Sequence, residues 1–379
     1  MALTELEQIR QTINQARHVL ITFRKDATVD AISGALALAL VLQKINKLVD
    51  VTCDGFQLPA NLAFLPGADG ITGRLQNLQK LIISLHNSRD NIDQFSYDME
   101  NGDLKIYLTP KAGAFQKSDV KTEQSDYKYD LVITVDAPDL DSLGDVYRQA
   151  TDFFYRTTII NLDHHVENEH YGQINRTNPN AVASCEVIYQ LLRELNQSLI
   201  GKEVATCLLT GIISKTKSFR TGNVTPATLE IASALMAAEA DRETIVKNLF
   251  RNRSLPTLRL WGRALARLKS EPGDQLAWAL LTEHDFLEAR ADEINLPGVV
   301  DELISFIPGI DVAVLIYQQK GVVSVVVEVL TDTGNALQLT RQFKPGGSKR
   351  SATFSLPDKT LVEAEQAVIE TIRRNLGAR

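Results

Sequence analysis

Three short apolar runs, each closing on a cluster of charged or titratable residues, constrain this chain more than any other feature. HVLITF (18–23) leads into RKDATVD (24–30). YDLVITVD (129–136) leads into APD, and TTIINLD (157–163) leads into His164 and His165. Runs rich in β-branched residues at this length read as strands. Helical stretches separate them: a capped helix from Thr4 to about Gln15, an almost wholly apolar one from Asp30 to about Ile45, and one over 141–154. The second helix is apolar on nearly all faces and is expected to be buried between layers. Strands alternating with helices predict a parallel sheet, whose ligands bind beyond the C-terminal strand ends. Carboxylates and imidazoles converging there suit Mn or Mg and phosphoryl chemistry.

A further strand is expected at 49–53. Residues 56–128 break the pattern, with a turn-rich start and three short alternating runs at 80–85, 95–98 and 104–109. They are read as an inserted antiparallel patch, followed by a flexible polar loop over 112–128. Helices are expected at 183–195, 202–214, 225–238, 241–250 and 256–268. Strands then follow at 275–281, 311–317 and 322–330, with helices at 285–290, 297–306, 335–342 and 360–376. The break falls at KSEPG (269–273). The fold class is therefore α/β: a first domain over 1–250 with its insertion at 56–128, a helical linker at 251–272, and a smaller α/β domain at 273–379, with a cleft between the two.

Among 379 residues, 40 Lys and Arg against 47 Asp and Glu give a net charge of −7, which argues against duplex DNA as a partner. Cys53, Cys185 and Cys207 are odd in number and far apart. They match neither a disulfide framework nor a closed zinc site, read as buried apolar fillers, and point to a reducing cytoplasm. The N-terminus lacks the order of a secretory signal, and the most apolar run, 31–42, is too short to cross a bilayer, so no membrane is expected.

The strand-end motifs resemble those of the DHH phosphoesterases. The resemblance rests on LDHH (162–165), TVDAPD (134–139), TFRKDATVDAISGALAL (22–38), LLTGIISKTKSFRTGNVTPATLEIASALM (208–236) and FKPGGSKRSATFSL (343–356). It covers most of the chain outside 56–128, and is nearest to the two-domain oligoribonucleases, pAp phosphatases and cyclic-dinucleotide phosphodiesterases. It implies a two-metal centre with six side-chain ligands. On that pattern the first motif's His and two Asp fall at Arg24, Thr28 and Asp30. The second motif's bridging Asp falls at Asp136, the third motif's His at His164, and the fourth motif's Asp at Lys215. Asp30, Asp136, His164 and His165 thus carry over as catalytic positions, while half of the ligands are replaced, two of them by cations. An ammonium in a metal shell repels a divalent ion and donates no lone pair while protonated. The expectation is an Arg24/Asp30/Asp136/Lys215 charge network, with His164 bonded to it and side-chain cations standing in for the metals.

In the second domain the family's G-G-G-H turn reads Gly346, Gly347, Ser348, Lys349, followed by Arg350, so its phosphate-contacting His is a Lys. The family's substrate Arg strand aligns with VVVEV (325–329) and lacks the Arg. Backbone N–H groups and the cations Arg341, Lys344, Lys349 and Arg350 leave two readings open, an anion site or a solvated basic turn. Arg259, Arg263 and Arg267 share a helix face that either lines the cleft or meets solvent. Phe64 and Phe115 either stack a base or pack locally. Trp261 and Trp278 are expected in cores or at the domain junction.

The functional expectation is a pseudo-enzyme that binds a nucleotide or short single-stranded oligonucleotide and carries no cofactor. The alternative is a phosphodiesterase with one Mn or Mg at Asp30, Asp136 and His164, in which Lys215 moves away and Asp26 or Asp163 supplies a further ligand. A third reading is an assembly subunit, with a homodimer or a partner protein meeting the inserted patch.

Overall fold

The computed structural model describes residues 3–85, 92–100, 102–251, 254–270, 275–296, 298–300, 309–331 and 334–377. They fall into two compact units, 1–251 and 252–379.

The first unit opens with α1 (Glu5–Gln15), held by a capping box in which the Glu7 amide donates to Thr4 Oγ1 and the Thr4 amide to Glu7 Oε2. β1 (His18–Phe23), α2 (Val29–Lys44) and β2 (Leu48–Thr52) follow. The insertion then forms β3 (Leu81–Leu85), β4 (Ile92–Glu100), β5 (Asp103–Pro110) and β6 (Val120–Gln124). The chain returns to the main sheet through β7 (Leu131–Val135), the short helices α3 (Asp145–Arg148) and α4 (Thr151–Arg156), β8 (Thr158–Asp163) and β9 (Ile174–Thr177). Four helices close the unit: α5 (Ser184–Asn196), α6 (Lys202–Lys215), α7 (Pro226–Ala237) and α8 (Arg242–Val246).

The main sheet is wholly parallel in the order β2-β1-β7-β8-β9. From β1 the chain passes to β2 on one side and later to β7 on the other. The C-terminal ends of β1 and β7 therefore flank the switch point, where such sheets leave a crevice. α2 is buried from Asp30 to Ala39, because it is sandwiched between the sheet and α5 and α6. Close approach there depends on two glycines. A Cβ on Gly211 would stand 2.7 Å from Asp30 Oδ1 and closer still to Cys185 Sγ, and one on Gly34 would stand 2.7 Å from Ile188 Cδ1.

The second unit comprises α9 (Leu255–Ala266), β10 (Lys269–Ser270), β11 (Leu276–Leu281), α10 (Glu283–Ala289), β12 (Val312–Gln319), β13 (Val322–Val329), α11 (Ala336–Leu339), β14 (Gly346–Gly347), β15 (Ser351–Leu356) and α12 (Leu361–Gly377). Its mixed sheet runs β10-β11-β12-β13-β15-β14, parallel only between β11 and β12. Alternate residues point to opposite faces. Val312, Val314 and Ile316 pack with Ala364, Val368 and Ile372 of α12, whereas Ala313 and Leu315 pack with Leu260 and Trp261 of α9 and Phe286 of α10. Burial on both sides explains why β12 reads as an unbroken apolar run.

Several expectations change. The region 251–272 is not a separate helical linker, because α9 buries Leu260, Trp261 and Ala264 in the second unit's own core. Trp261 and Trp278 are both buried in that unit, donating to Asn295 O at 3.0 Å and Glu365 Oε1 at 2.6 Å. The inserted patch is two separate two-stranded sheets, β3 with β6 and β4 with β5. The loop read over 112–128 contains β6, whose sequence VKTEQ has no apolar alternation and owes its extended form to pairing with β3. The helix read at 141–154 is split into α3 and α4, and the one at 241–250 gives way after Val246 to a π-helical turn. Most of the helix read at 297–306 lies outside the described residues.

The glycines yield a prediction with opposite signs at two sites. Gly211→Ala should cost about 1–3 kcal/mol through overpacking against Cys185 and Asp30. Gly262→Ala, where a Cβ meets nothing within 4 Å on the exposed face of α9, should add about 0.5–1 kcal/mol. Denaturant midpoints of the two variants check both signs.

Candidate functional site

Three strand ends and three helix ends meet at the crevice of the parallel sheet. Asp136 directly follows β7 in a left-handed conformation (φ 54°), which Asp tolerates better than most residues and which directs its carboxylate inward. The carboxylate is fully buried and richly bonded. Oδ2 accepts from Thr28 Oγ1 at 2.7 Å and Oδ1 accepts from Ser184 Oγ at 3.0 Å. His164 Nε2 lies 3.4 Å from Oδ1, His165 Nδ1 3.8 Å and Lys215 Nζ 4.0 Å. Burial alone would raise this carboxyl. The His164 contact, the Lys215 ammonium and the Thr28 hydroxyl outweigh it and hold Asp136 far below the usual carboxylate range.

Asp30, in the first turn of α2, is equally buried and has a different task. Its Oδ2 accepts the Ser184 amide at 2.7 Å and its Oδ1 the Cys185 amide at 3.0 Å. α5 has no side-chain cap of its own from Ala183, so Asp30 caps it from another element and meets its positive end. Burial and the Asp136 charge push the Asp30 carboxyl up.

At the end of β8, Asp163 Oδ1 accepts the His164 amide at 2.8 Å and faces His165 Nδ1 at 2.7 Å, while Oδ2 accepts from Asn168 Nδ2 at 2.6 Å. Burial would raise Asp163, but the bonds from His165 and Asn168 lower it. The same Asp163 bond raises His165. Lys215 closes α6, and its Nζ stands 3.2 Å from His164 Nε2.

The crevice thus gathers Asp30, Asp136, His164, His165 and Lys215. It does not bring Arg24 to the buried carboxylates. The Arg24 guanidinium lies 4.0 Å from the exposed Asp26, makes no ion pair with Asp30 or Asp136, and its Nε is buried without a hydrogen-bond partner. The four-membered network expected from the sequence is therefore a three-membered one, Asp30, Asp136 and Lys215, with His164 between them. The reason is geometric. Thr28 Oγ1 accepts the Ala31 amide and donates its hydroxyl proton to Asp136, and so fills the side of Asp136 that a second cation would need.

Arg24 and Thr28 offer no anionic donors, and each Asp30 oxygen accepts one backbone amide. Asp136, His164 and His165 have donor atoms within 4.8 Å of one another, a set sized for a single ion. The Lys215 ammonium stands beside two of those three donors.

Sequence reasoning missed Ser184, whose amide and hydroxyl serve both buried carboxylates, and Asn168, which also accepts from Asn161 Nδ2 at 2.8 Å. Neither sits in a motif. The only signal for Ser184 is its place at the start of a predicted helix without a cap. The cysteines are buried; burial pushes Cys53 and Cys207 up to about 12 and raises Cys185 as well, so none is a ready thiolate.

In the second unit, Gly346 and Gly347 form β14, and Gly347 has φ 125°, closed to side chains by Ser351 O. Three amides of this turn are engaged within it. Ser348 N donates to Ser351 O at 2.7 Å, and Arg350 N and Ser351 N both donate to Ser348 Oγ at 3.3 Å. The side chains of Lys349 and Arg350 are exposed beside it. Phe64 packs against the first core, and Phe115 is half-buried.

Arg259 is exposed, but Arg263 and Arg267 pair with the buried Asp285 at 3.2 and 2.7 Å. Burial would raise Asp285. Its capping bonds with Thr282 and the two arginines outweigh that and hold it low. A carboxyl depressed by folding contributes stability above its unfolded value of about 3.9, and that contribution is lost as pH falls through the folded value. Asp285→Asn should therefore cost about 2 kcal/mol near neutral pH. The gap to wild type should close as the pH drops below about 4, as read from thermal unfolding against pH.

Among the described residues no helix is long and apolar enough to cross a membrane. A family model described as "DHH family, N-terminal domain" matches residues 18–212. A bifunctional oligoribonuclease and PAP phosphatase NrnA of Thermus thermophilus is 27% identical over 219 residues, 58% of this chain and 64% of that protein. A probable protein of the same description from Streptococcus mutans is 28% identical over 124 residues, 33% of this chain and 38% of the other. The matched stretch thus spans under two thirds of either relative. The fold is similar to the crystal structure of an exopolyphosphatase-related protein from Bacteroides fragilis, with a TM-score of 0.73 at 17% identity, covering 98% of this chain and 96% of that one.

Proposed function

This chain belongs to the DHH family, and we propose that it is a phosphoesterase-type member whose metal centre has become a fixed charge pair, binding a phosphorylated ligand of the nucleotide class without hydrolysing it. DHH phosphoesterases are generally dependent on divalent metal ions, which supply the Lewis acid and the activated water of phosphoryl hydrolysis. The observation that carries the reading is Lys215 Nζ, 3.2 Å from His164 Nε2 and 4.0 Å from Asp136 Oδ1.

Each retained residue has a task that needs no ion. Asp30 caps α5, Asp136 holds the Thr28 and Ser184 hydroxyls and balances Lys215, and Asp163 orients His165. The partly exposed Lys215 and Arg24 are the cations that an incoming phosphate would meet at the strand ends, while the buried Asp136 carboxylate positions Lys215. The relatives' names point to oligoribonucleotides and PAP as the ligands to try first.

A second reading, hydrolysis with one metal ion, is favoured by the clustered donors of Asp136, His164 and His165 and requires Lys215 to swing away. Elemental analysis of the purified protein, with Mn-supplemented assays on dinucleotides, pAp and cyclic dinucleotides, separates the two. The expected result is no stoichiometric Mn, Fe, Zn or Mg, with saturable nucleotide binding and no turnover. An ion in every chain, with turnover abolished by His164→Ala, would overturn the first reading.

A further inference from the structure

The ribbon formed by β4 and β5 carries an apolar face with no cover among the described residues. Its register opposes Phe95 to Leu108, Tyr97 to Ile106 and Met99 to Leu104, so six large apolar side chains occupy one face in three cross-strand pairs. The opposite face holds Gln94, Ser96, Asp98, Glu100, Asp103, Lys105 and Thr109, with Tyr107 as its exception. Such alternation is the pattern of a strand pair with one buried side. Here that side is open: Phe95 is 63% exposed, Tyr97 68%, Met99 65%, Leu104 59% and Ile106 42%. An isolated two-stranded ribbon is at best marginally stable in water, so this pattern calls for a partner.

We infer that the partner is a second copy of this chain, the two ribbons packing apolar face to apolar face about a twofold axis near Tyr97 and Ile106. Three observations favour that occupant. Aromatic and large aliphatic side chains at these exposures leave on the order of 600 Å² of apolar area uncovered, the upper end of what a typical monomer shows in its largest patch. Two such faces bury about 1,200 Å² together, the lower end of stable specific interfaces, and an isologous pair covers both at once.

Charge excludes the common alternatives. Between 92 and 110 the chain carries Asp93, Asp98, Glu100 and Asp103 against Lys105 alone, so the ribbon repels nucleic acid and anionic membranes. Asp98, Glu100, Asp103 and Lys105 all lie on the polar face, outside the proposed contact, and charges on a ribbon resist open-ended edge pairing. The result is a closed pair and not a fibre.

Sedimentation of the full chain tests this. The expected species is twice the 42.0 kDa chain mass, dissociating on dilution. Phe95→Ser with Tyr97→Ser should weaken association about a hundredfold, with the thermal transition of the parallel-sheet core unchanged. A second measurement guards against a misfolded ribbon. The native cysteines are buried, so a short bis-maleimide should link Tyr97→Cys chains in pairs and leave Ser96→Cys, on the polar face, unlinked. A chain that stays monomeric at its highest soluble concentration, a dimer indifferent to the double substitution, equal linking at both cysteines, or a monomer captured by a different protein or by nucleic acid would each overturn the proposal.

Discussion

Lys215→Asp should yield a protein that binds Mn²⁺ and is unstable without it. In the native crevice the Lys215 ammonium faces Asp136 at 4.0 Å and sits within reach of the field of Asp30, where it helps to lower Asp136 and opposes the rise of Asp30. Replacing it with a third carboxylate turns an attraction into a repulsion. At this separation each term is worth about 4 kcal/mol at a protein-like dielectric, and relaxation of the partly exposed side chain toward solvent leaves a net loss of about 3–5 kcal/mol. A unit of this size should then melt on the order of 10 °C lower in chelator. Saturating Mn²⁺ should restore about 3 kcal/mol at a hundredfold excess over its dissociation constant. The wild type should melt at the same temperature with Mn²⁺ and with chelator, and Lys215→Met should fall between the two. Scanning fluorimetry against metal concentration reads all three, and a wild type that is itself strongly stabilised by Mn²⁺ would sink the charge-replacement reading.

The other large effect is expected at Asp136. Asp136→Ala removes the acceptor of the Thr28 and Ser184 hydroxyls, strands the Lys215 charge beside His164, and places a less tolerant residue at φ 54°. Breaking a buried pair by deleting one member costs about 3–5 kcal/mol. Asp136→Asn keeps one acceptor and a side chain suited to the left-handed region, and should cost about half as much. Combining Asp136→Asn with Lys215→Met completes a double-mutant cycle, whose coupling should be favourable by about 1–3 kcal/mol. Urea unfolding at fixed ionic strength measures it. A coupling of zero would mean that Lys215 and Asp136 are neighbours without energetic connection.

The strand-end reading worked where chemistry and period coincide. Asp136, Asp163 and His164 stand at the ends of apolar runs, and parallel strands placed side by side must bring such ends together, so their convergence was legible. Arg24 stands at the end of such a run too, yet its side chain faces Asp26. A strand end places a backbone, and a long side chain then chooses among partners that the sequence does not rank. Ser184 was illegible because its role comes from α5 pointing its first amides at α2, a contact 154 residues away in sequence. The polar strand β6 was read as a loop because pairing alone makes it extended.

From residue order alone came the alternation of strands and helices, the parallel sheet, and the charged groups at its C-terminal ends, since local periodicity and the handed geometry of strand and helix leave few other arrangements. What only the tertiary structure decided is which of those charges meet. Asp30 became a helix cap, Thr28 filled the second face of Asp136, Lys215 reached His164 and Arg24 did not. A buried charge keeps whichever partner the packing sets within about 4 Å, and helix packing across distant segments, through Gly34 and Gly211, sets that distance.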